Sequence, residues 1–488
     1  MWSSTAEELP NIKWYVNKTI MNTKMNTKKD FIHPYIPNSV PANKKAMMET
    51  IGITDIAQLY EDIPERLRLR SKINIPAAIL SEAALKKHVN TVLAKNTSCE
   101  ERLSFLGGGC VNNYVPAICD EIVGRAEFLT AYAGEPYEDH GRFQALFEYE
   151  SLMAELLELD VVNVPTYDWG QAASTSVRMC GRITGRSEML VPDTISPDRF
   201  NVIHNYCHPV MKLIMVKHHR ETGMMDLKDL RSKLNANVAG IYFENPSYLG
   251  FIEEQGQEIA DLLHALGGEV VVGTDPSSLG VLAPPVQYGA DICCGDIQSL
   301  GNHMYFGGAV GGFISSRDEE KYVMEYPSRL FGVTRNEKKG EWHFGDVAYS
   351  RTSFDGREKG KEFVGTAAAL YGISTAVYLS LMGPEGMVEL GKKLVSYATY
   401  TARRLAELKG IRIRFNAFIF KEFAIDFSGT GKSVAAINQS LLEKGMFGGK
   451  DLGTEFPELA NCALFCVTDN HTKEDLDSLV SAIGKAIS

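Results

Sequence analysis

At 488 residues the chain is long enough to form two or three domains with large hydrophobic cores. Its formal net charge of −11 argues against general nucleic-acid binding, and no apolar run approaches the roughly 20 residues of a membrane-spanning helix. The nine scattered cysteines include no Cys-x-x-Cys pair, which is typical of reduced thiols. We therefore expect a cytoplasmic protein that binds neither nucleic acid nor membrane.

The N-terminal part of the chain lacks the signals of an independent core. Residues 1–33 have no hydrophobic stretch and contain Glu7 and Glu8, so we expect a disordered tail and no targeting peptide. Residues 34–95 form a predicted arm with two short amphipathic helices between 42 and 70, interrupted at Pro64, and a third helix capped by Ser81. Because this arm has few apolar residues, we expect it to pack on something larger.

Residues 96–375 have the pattern of a large α/β domain. Apolar residues at helical spacing predict a helix that starts with Pro116 and a core helix over 143–157. Strands are predicted at 189–191, 213–216, 238–243 and 269–274, with helices between them. Unbroken apolar strands that alternate with helices predict a parallel sheet covered on both faces, with ligands at the carboxyl ends of its strands.

Residues 376–488 have a different pattern. A long helix is predicted from Pro384 to Leu408, followed by short strands and two further helices. This pattern predicts a smaller α+β C-terminal domain.

Two strand ends in the large domain carry polar residues that indicate a cofactor site. Asp275 follows the strand at 269–274, and Gln298 and Ser299 follow the next predicted strand. In pyridoxal-phosphate enzymes of the aspartate-aminotransferase fold, such an Asp pairs with the pyridinium nitrogen, and a Lys at a neighbouring strand end forms the Schiff base. Gln298 and Ser299 stand at the lysine position here, so we predict a degenerate site without a catalytic residue.

A turn of small residues at 163–175 leads into a predicted helix. A helix N-terminus offers free N–H donors and a positive dipole, which suit a phosphate. Gln171 and Ala172 are therefore candidate cofactor-binding residues, together with Asp275. Small residues at such a turn also serve to let a helix pack closely, and the sequence leaves both interpretations open.

Other motifs carry weaker signals. The stretch from Ser428 to Ser433 is similar to the end of a phosphate-binding loop, but Asp426 holds the place of its first glycine. Glycines at 307–312 precede a strand and predict a hairpin. His204 and His208 are four residues apart, but no third ligand follows at a readable spacing, so we expect no metal site.

Several longer motifs together resemble one enzyme family. They are His33-Pro-Tyr-Ile-Pro, Asp62-Ile-Pro-Glu-Arg-Leu-Arg-Leu, Phe105-Leu-Gly-Gly-Gly, Glu244-Asn-Pro-Ser-Tyr-Leu-Gly, Thr274-Asp-Pro-Ser-Ser-Leu-Gly, Tyr288-Gly-Ala-Asp-Ile, Gly295-Asp-Ile-Gln-Ser-Leu-Gly and Leu381-Met-Gly-Pro-Glu-Gly. From about Pro34 to the C-terminus, the chain resembles subunit 1 (alpha) of the two-subunit glycine dehydrogenases (decarboxylating), the P-proteins of the glycine cleavage system.

The resemblance implies a fold-type I pyridoxal-phosphate transferase fold (aspartate-aminotransferase-like). In that family the cofactor lysine belongs to subunit 2 (beta), and subunit 1 completes an α2β2 assembly. The complex decarboxylates glycine and passes the aminomethyl group to the lipoyl arm of H-protein. The resemblance therefore implies pyridoxal phosphate on the partner subunit and none covalently on this chain.

The chain departs from the usual family sequence at 132–140, 163–170 and 357–365. These departures leave open a divergent paralogue that supports a related decarboxylation or transfer on another amine. A third possibility is a stand-alone pyridoxal-phosphate enzyme with a displaced lysine such as Lys359 or Lys361.

Overall fold

The computed structural model describes residues 32–69, 71, 73–129, 140–305, 310–336, 340–361 and 368–488. Several predictions fall wholly or partly outside the described residues: residues 1–31 of the predicted tail, most of the stretch at 132–140, part of the glycine run at 307–312 and part of the stretch at 357–365. Two compact units are present, one that ends at Ala94 and one that spans Lys95–Ser488.

Within the described residues, the first unit contains two α-helices, α1 (Pro41–Ile51) and α2 (Glu82–Leu93). Gly52 ends α1 in the left-handed conformation that glycine adopts without strain. Ser81 caps α2 as predicted, since its hydroxyl accepts a hydrogen bond from the N–H of Ala84. Neither helix contains a buried residue.

The prediction of a second helix between 42 and 70 is wrong. Two short 3-10 turns, Ile56–Tyr60 and Glu65–Leu67, occupy this stretch. Asp55 and Gln58 form a capping box around the first turn. Pro64 then prevents an α-helix from continuing, because the residue before a proline avoids the helical region.

The strands of the second unit follow the predicted alternation and add several short ones. In chain order they are β1 (Leu103–Ser104), β2 (Val161–Val162), β3 (Glu188–Pro192), β4 (Lys212–Val216), β5 (Val238–Glu244), β6 (Glu269–Gly273), β7 (Ile292–Asp296), β8 (Gly312–Ser316), β9 (Leu330–Arg335), β10 (Trp342–Val347), β11 (Arg412–Ile413), β12 (Glu422–Asp426), β13 (Met446–Phe447), β14 (Lys450–Asp451) and β15 (Cys462–Cys466).

The helices of this unit lie between and after these strands. They are α3 (Ala117–Val123), α4 (His140–Leu157), α5 (Trp169–Thr184), α6 (Pro197–Cys207), α7 (Leu227–Lys233), α8 (Gly256–His264), α9 (Glu320–Val323), α10 (Ser353–Gly356), α11 (Ala369–Ala406), α12 (Val434–Glu443) and α13 (Lys473–Ile487). Pro116, predicted inside the first of these, is its N-cap residue.

The central sheet has seven strands in the order β2-β8-β7-β6-β5-β3-β4. Strands β3 to β7 are mutually parallel, whereas β8 runs antiparallel to β7 and β2. Every residue of β5 and β6 is buried, which is why these strands have unbroken apolar sequences. The predicted parallel sheet and the antiparallel strand after the glycine run are confirmed.

A smaller antiparallel sheet, in the order β11-β12-β15-β14, forms the C-terminal part of the unit. Helix α11 connects the two sheets and breaks at Gly383, with Pro384 at the start of its second half. The predicted helix start at Pro384 coincides with this break. The predicted domain boundary at 375 falls inside α11, so the boundary itself stays a prediction. Among the described residues, no helix has the length and apolar character needed to span a membrane.

Candidate functional site

A cavity of about 220 Å3 lies at the carboxyl ends of the central parallel strands, where the small sheet approaches them. Trp169, Arg199, Asp275, Gln298 and Lys421 are among its lining residues. Parallel sheets bind their ligands at this edge, because successive strands end there side by side. The cavity is therefore the position at which a cofactor site is expected.

Asp275 lies two residues after the end of β6 and is surrounded by donors. Its Oδ1 atom accepts hydrogen bonds from the N–H of Ser277 at 3.0 Å, the hydroxyl of Ser277 at 2.8 Å and the hydroxyl of Ser299 at 2.7 Å. Its Oδ2 atom forms an ion pair with Nζ of Lys421. The carboxylate that faces a pyridinium nitrogen in related enzymes thus has a lysine ammonium as its counter-charge.

Lys421 immediately precedes β12 of the small sheet and is only 7% exposed. Burial acts to lower the pKa of its ammonium, but Asp275 together with the other neighbouring acidic groups outweighs burial and raises that pKa above the ordinary value. Burial acts to raise the pKa of Asp275, but Lys421 together with the serine hydrogen bonds outweighs burial and lowers the pKa of this carboxyl. Both groups are therefore charged at neutral pH.

Gln298 stands at the predicted lysine position and is 4% exposed. Its amide nitrogen donates to the carbonyls of Val111 at 2.9 Å and Asn302 at 3.1 Å. Its amide oxygen accepts from the N–H of Val111 at 3.2 Å and from the side chain of Asn113 at 3.4 Å. Gln298 thus ties a loop to the sheet edge and has no free amine for covalent chemistry.

The N-terminus of α5 points toward the same cavity and is capped by Asp168. The carboxylate of Asp168 accepts from the N–H of Gln171 at 2.7 Å, and the side chain of Gln171 accepts from the N–H of Tyr167 at 2.8 Å. Ala172 is fully buried, and its N–H donates to the carbonyl of Asp168. Gln171 and Ala172 are not among the described lining residues, and their role in binding an anion stays a prediction.

Arg199 is a lining residue that sequence reasoning missed. Its guanidinium forms two parallel hydrogen bonds with Glu244, at 2.6 and 2.7 Å, and stacks 4.2 Å from the ring centroid of Trp169. The hydroxyl of Tyr242 also donates to Glu244, at 3.0 Å. Glu244 is the first residue of one of the family motifs, but nothing in the sequence indicated that it pairs with Arg199.

Asp296 at the end of β7 is a second carboxylate in the cavity. Burial, followed by repulsion from Asp275, raises its pKa from 3.8 to about 6. Its Oδ1 atom accepts from the N–H of Gln298 at 3.0 Å. Above this pKa, the charged form of Asp296 destabilises the fold.

Asp296→Asn is expected to raise the free energy of unfolding at pH 8 by about 1–3 kcal/mol, since one pKa unit corresponds to about 1.4 kcal/mol. Because folding raises the pKa of Asp296, the stability that this carboxyl contributes is complete below its pKa in the unfolded chain. That contribution is lost as pH rises through about 6. The gain should therefore vanish near pH 4. Urea unfolding at both pH values checks this, and an equal gain at both would contradict it.

The other candidate motifs do not form sites in the described residues. Lys359 is exposed, Lys361 pairs with Glu325, and neither is among the described residues that line the cavity. The loop after Asp426 is held by that carboxylate, which accepts from the N–H of Ser428 at 2.8 Å. No group of three or more His, Cys, Asp or Glu in the described ranges is arranged to hold a metal ion. All nine cysteines are free thiols.

The residues present do not fit pyridoxal phosphate. The partner of the ring nitrogen, Asp275, is already paired with Lys421, and the lysine position holds Gln298 and Ser299. The helix N-terminus next to the cavity carries the carboxylate of Asp168, which would repel a phosphate. The cavity has the location of a cofactor site but not its chemistry.

The fold is that of a fold-type I pyridoxal-phosphate transferase. Three features define it, namely the strand order of the central sheet, the antiparallel direction of β8 and the position of Asp275 after β6. A sphingosine-1-phosphate lyase from Burkholderia pseudomallei has this fold, with a TM-score of 0.62 at 13% identity over 87% of this chain and 94% of the lyase.

A family model described as "Glycine cleavage system P-protein" matches residues 33–483, and the chain belongs to that family. A relative from Staphylothermus marinus, named "Probable glycine dehydrogenase (decarboxylating) subunit 1", is 35% identical over 469 residues, which cover 93% of this chain and 98% of the relative. The crystal structure of an inhibitor-bound glycine decarboxylase (P-protein) has a TM-score of 0.80 at 31% identity and covers 93% of this chain and 100% of that one.

Proposed function

We propose that this chain is the lysine-free subunit of a two-subunit glycine decarboxylase of the glycine cleavage system. The observation that carries the proposal is the pocket itself, which keeps Asp275 at the cofactor position but has Gln298 and Ser299 in place of the lysine. The name of the Staphylothermus relative, a subunit 1, supports a second subunit. We expect an α2β2 assembly in the cytoplasm, with pyridoxal phosphate on a lysine-bearing subunit 2.

In such a complex the cofactor on the partner supplies an electron sink for loss of CO2 from glycine. The contribution of this chain is structural, since its own pocket offers no free amine at the lysine position. It would complete the assembly and shape the approach to the partner's site, where the lipoyl arm of H-protein receives the aminomethyl group. The arm up to Ala94 supports a role in assembly, because neither of its helices contains a buried residue.

A second candidate is support of a related pyridoxal-phosphate-dependent decarboxylation or transfer on another amine. The specific observation that favours it is a departing residue in the cavity itself. Trp169, inside the departing stretch at 163–170, lines the cavity, and the Arg199 guanidinium lies 4.2 Å from its ring centroid. The two candidates differ in the substrate of the partner, and both use this chain as a lysine-free subunit.

A stand-alone enzyme with a displaced lysine is disfavoured by the position of Lys421. This lysine contacts Asp275, which faces the nitrogen end of a cofactor ring, whereas an aldimine forms at the opposite end. The ammonium is also held in its charged form by Asp275, and a charged amine is not a nucleophile.

The proposed function predicts that, after co-expression with a lysine-bearing subunit 2, the two chains elute together as an α2β2 complex. Borohydride reduction and peptide mass spectrometry should then find pyridoxyl-lysine in the partner and none in this chain. Glycine decarboxylation should require both chains, with each chain alone as the control. A pyridoxyl-lysine peptide from this chain, or full activity of this chain alone, would refute the proposal.

A further inference from the structure

We propose that Lys421 and Asp168 are internal substitutes for the two charged ends of pyridoxal phosphate, and that they keep the pocket of this chain closed to the cofactor. Lys421 takes the place of the pyridinium, and Asp168 takes the place of the phosphate. The inference goes beyond the proposed function, because it explains how a cofactor fold without its lysine also excludes non-covalent binding.

The pyridinium end is occupied by a complete set of contacts. Asp275 receives three hydrogen bonds on Oδ1, and its Oδ2 atom faces the ammonium of Lys421. An incoming pyridinium would have to displace a buried ammonium from the carboxylate, since Lys421 is only 7% exposed. The lysine therefore competes for the atom that a cofactor ring needs.

The phosphate end is occupied in the same way. A phosphate at a helix N-terminus is held by the first N–H groups of the helix. In α5 the N–H of Gln171 already donates to Asp168 at 2.7 Å. At this N–H, a phosphate would thus meet a carboxylate of the same sign.

The net charge of the residues that line the cavity also opposes binding of the cofactor. Five carboxylates and two cations are among its described lining residues, namely Asp168, Asp198, Asp275, Asp296, Glu422, Arg199 and Lys421. Arg199 is committed to Glu244 through two hydrogen bonds. An anionic cofactor is repelled from such a surface, whereas a lysine ammonium is attracted to it.

The same contacts join the two sheets. Lys421 and Glu422 precede and begin β12 of the small sheet, whereas Asp275 follows β6 of the central sheet. Glu422 accepts from the N–H of Gly108, another lining residue, at 2.6 Å. Two neighbouring residues, Lys421 and Glu422, thus close the pocket to the cofactor and hold the small sheet against the central sheet.

The test uses pyridoxamine 5′-phosphate, which has the pyridinium and the phosphate but no aldehyde to react with surface lysines. Its binding to the full chain, expressed alone, is measured by equilibrium dialysis for the wild type, Lys421→Met, Asp168→Asn and the double variant. Lys393→Met is the matched control, because Lys393 donates to a backbone carbonyl of Asp469 and is not among the described lining residues.

The wild type and Lys393→Met should show no saturable binding. Lys421→Met should show saturable binding, with a Kd at least about tenfold below the highest concentration at which the wild type shows none, since it frees a carboxylate for a charge-assisted hydrogen bond. The double variant should bind more tightly still. Adding Asp275→Asn should abolish the gain from Lys421→Met. Where Lys421→Met does not fold, Lys421→Gln keeps a hydrogen-bond donor and replaces it in the comparison.

Saturable binding by the wild type as tight as that of the variants would overturn the proposal, as would a double variant that gains nothing. Neither result depends on the partner or on glycine, so this test can fail while the proposed function stands.

Discussion

Lys421→Met is expected to lower the free energy of unfolding by about 3–5 kcal/mol, because removal of one partner leaves the other charge buried and uncompensated. Asp275 would keep its three hydrogen bonds but lose its counter-ion. Urea unfolding of the full chain at neutral pH measures this loss. Lys393→Met, which removes a lysine that bonds to a backbone carbonyl, is the matched control and should cost much less.

The double variant Lys421→Met with Asp275→Asn should recover most of the lost stability, since it removes both charges together. Replacing both members of a buried ion pair is often close to neutral, in contrast to breaking the pair. A double variant no more stable than Lys421→Met alone would show that the ion pair is not the source of the effect.

The contribution of the pair should be constant across a wide pH range. The pKa of Asp275 is lowered from 3.8, so its contribution is complete above that value and is lost as pH falls through the lower folded pKa. The pKa of Lys421 is raised from 10.5, so its contribution is complete below that value and is lost as pH rises through the higher folded pKa. The contribution of the pair in the wild type should therefore be flat between about pH 4 and pH 10. In Lys421→Met, burial is left to raise the pKa of Asp275, so the loss of stability should be smaller near pH 4 than at neutral pH.

The central sheet and the neighbourhood of Asp275 were predictable from sequence for a physical reason. Strands buried on both faces have unbroken apolar runs, and β6 and β7 are such strands. Parallel neighbours end at the same sheet edge, so Asp275 and Ser299 had to lie close together, and their side chains are 2.7 Å apart. Pattern and topology together therefore located the edge of the sheet at which the cavity lies.

Lys421 was not predictable in the same way. It lies far along the chain from Asp275, and its ion pair depends on how the small sheet packs against the central one. Arg199 and Glu244 meet for a similar reason, across α6 and β5. Charge pairs of this kind carry no periodic signal, and only the assembled fold brings them together.

Local structure was missed where the pattern is short or half exposed. The hairpin of β9 and β10 has exposed residues on both strands and no clean alternation. Strands of two residues, such as β13, carry no period at all. The 3-10 turn at Ile56–Tyr60 has a helical sequence pattern, but side-chain caps hold it as a single tight turn.

The face of α2 formed by Leu85, Val89 and Val92 is expected to bind subunit 2. These residues follow helical spacing and are 46%, 41% and 48% exposed. Neither α2 nor α1 contains a buried residue, so in the described part of the arm no core covers this apolar surface. In the complex, this face would be buried against an apolar surface of the lysine-bearing subunit.

Replacing all three residues by Ser should weaken binding of subunit 2 by about a hundredfold, since burial of each half-exposed side chain contributes on the order of 1 kcal/mol. The melting of the chain alone should change little, because exposed positions usually contribute within about 0.5 kcal/mol. Lys87→Ser with Asn90→Ser alters the opposite face of α2 and is the matched control. Titration of subunit 2 into each variant, followed by light scattering, measures the affinity and the size of the complex. If the triple variant binds subunit 2 as tightly as the control, this face is not the contact and the arm must engage the partner through other residues.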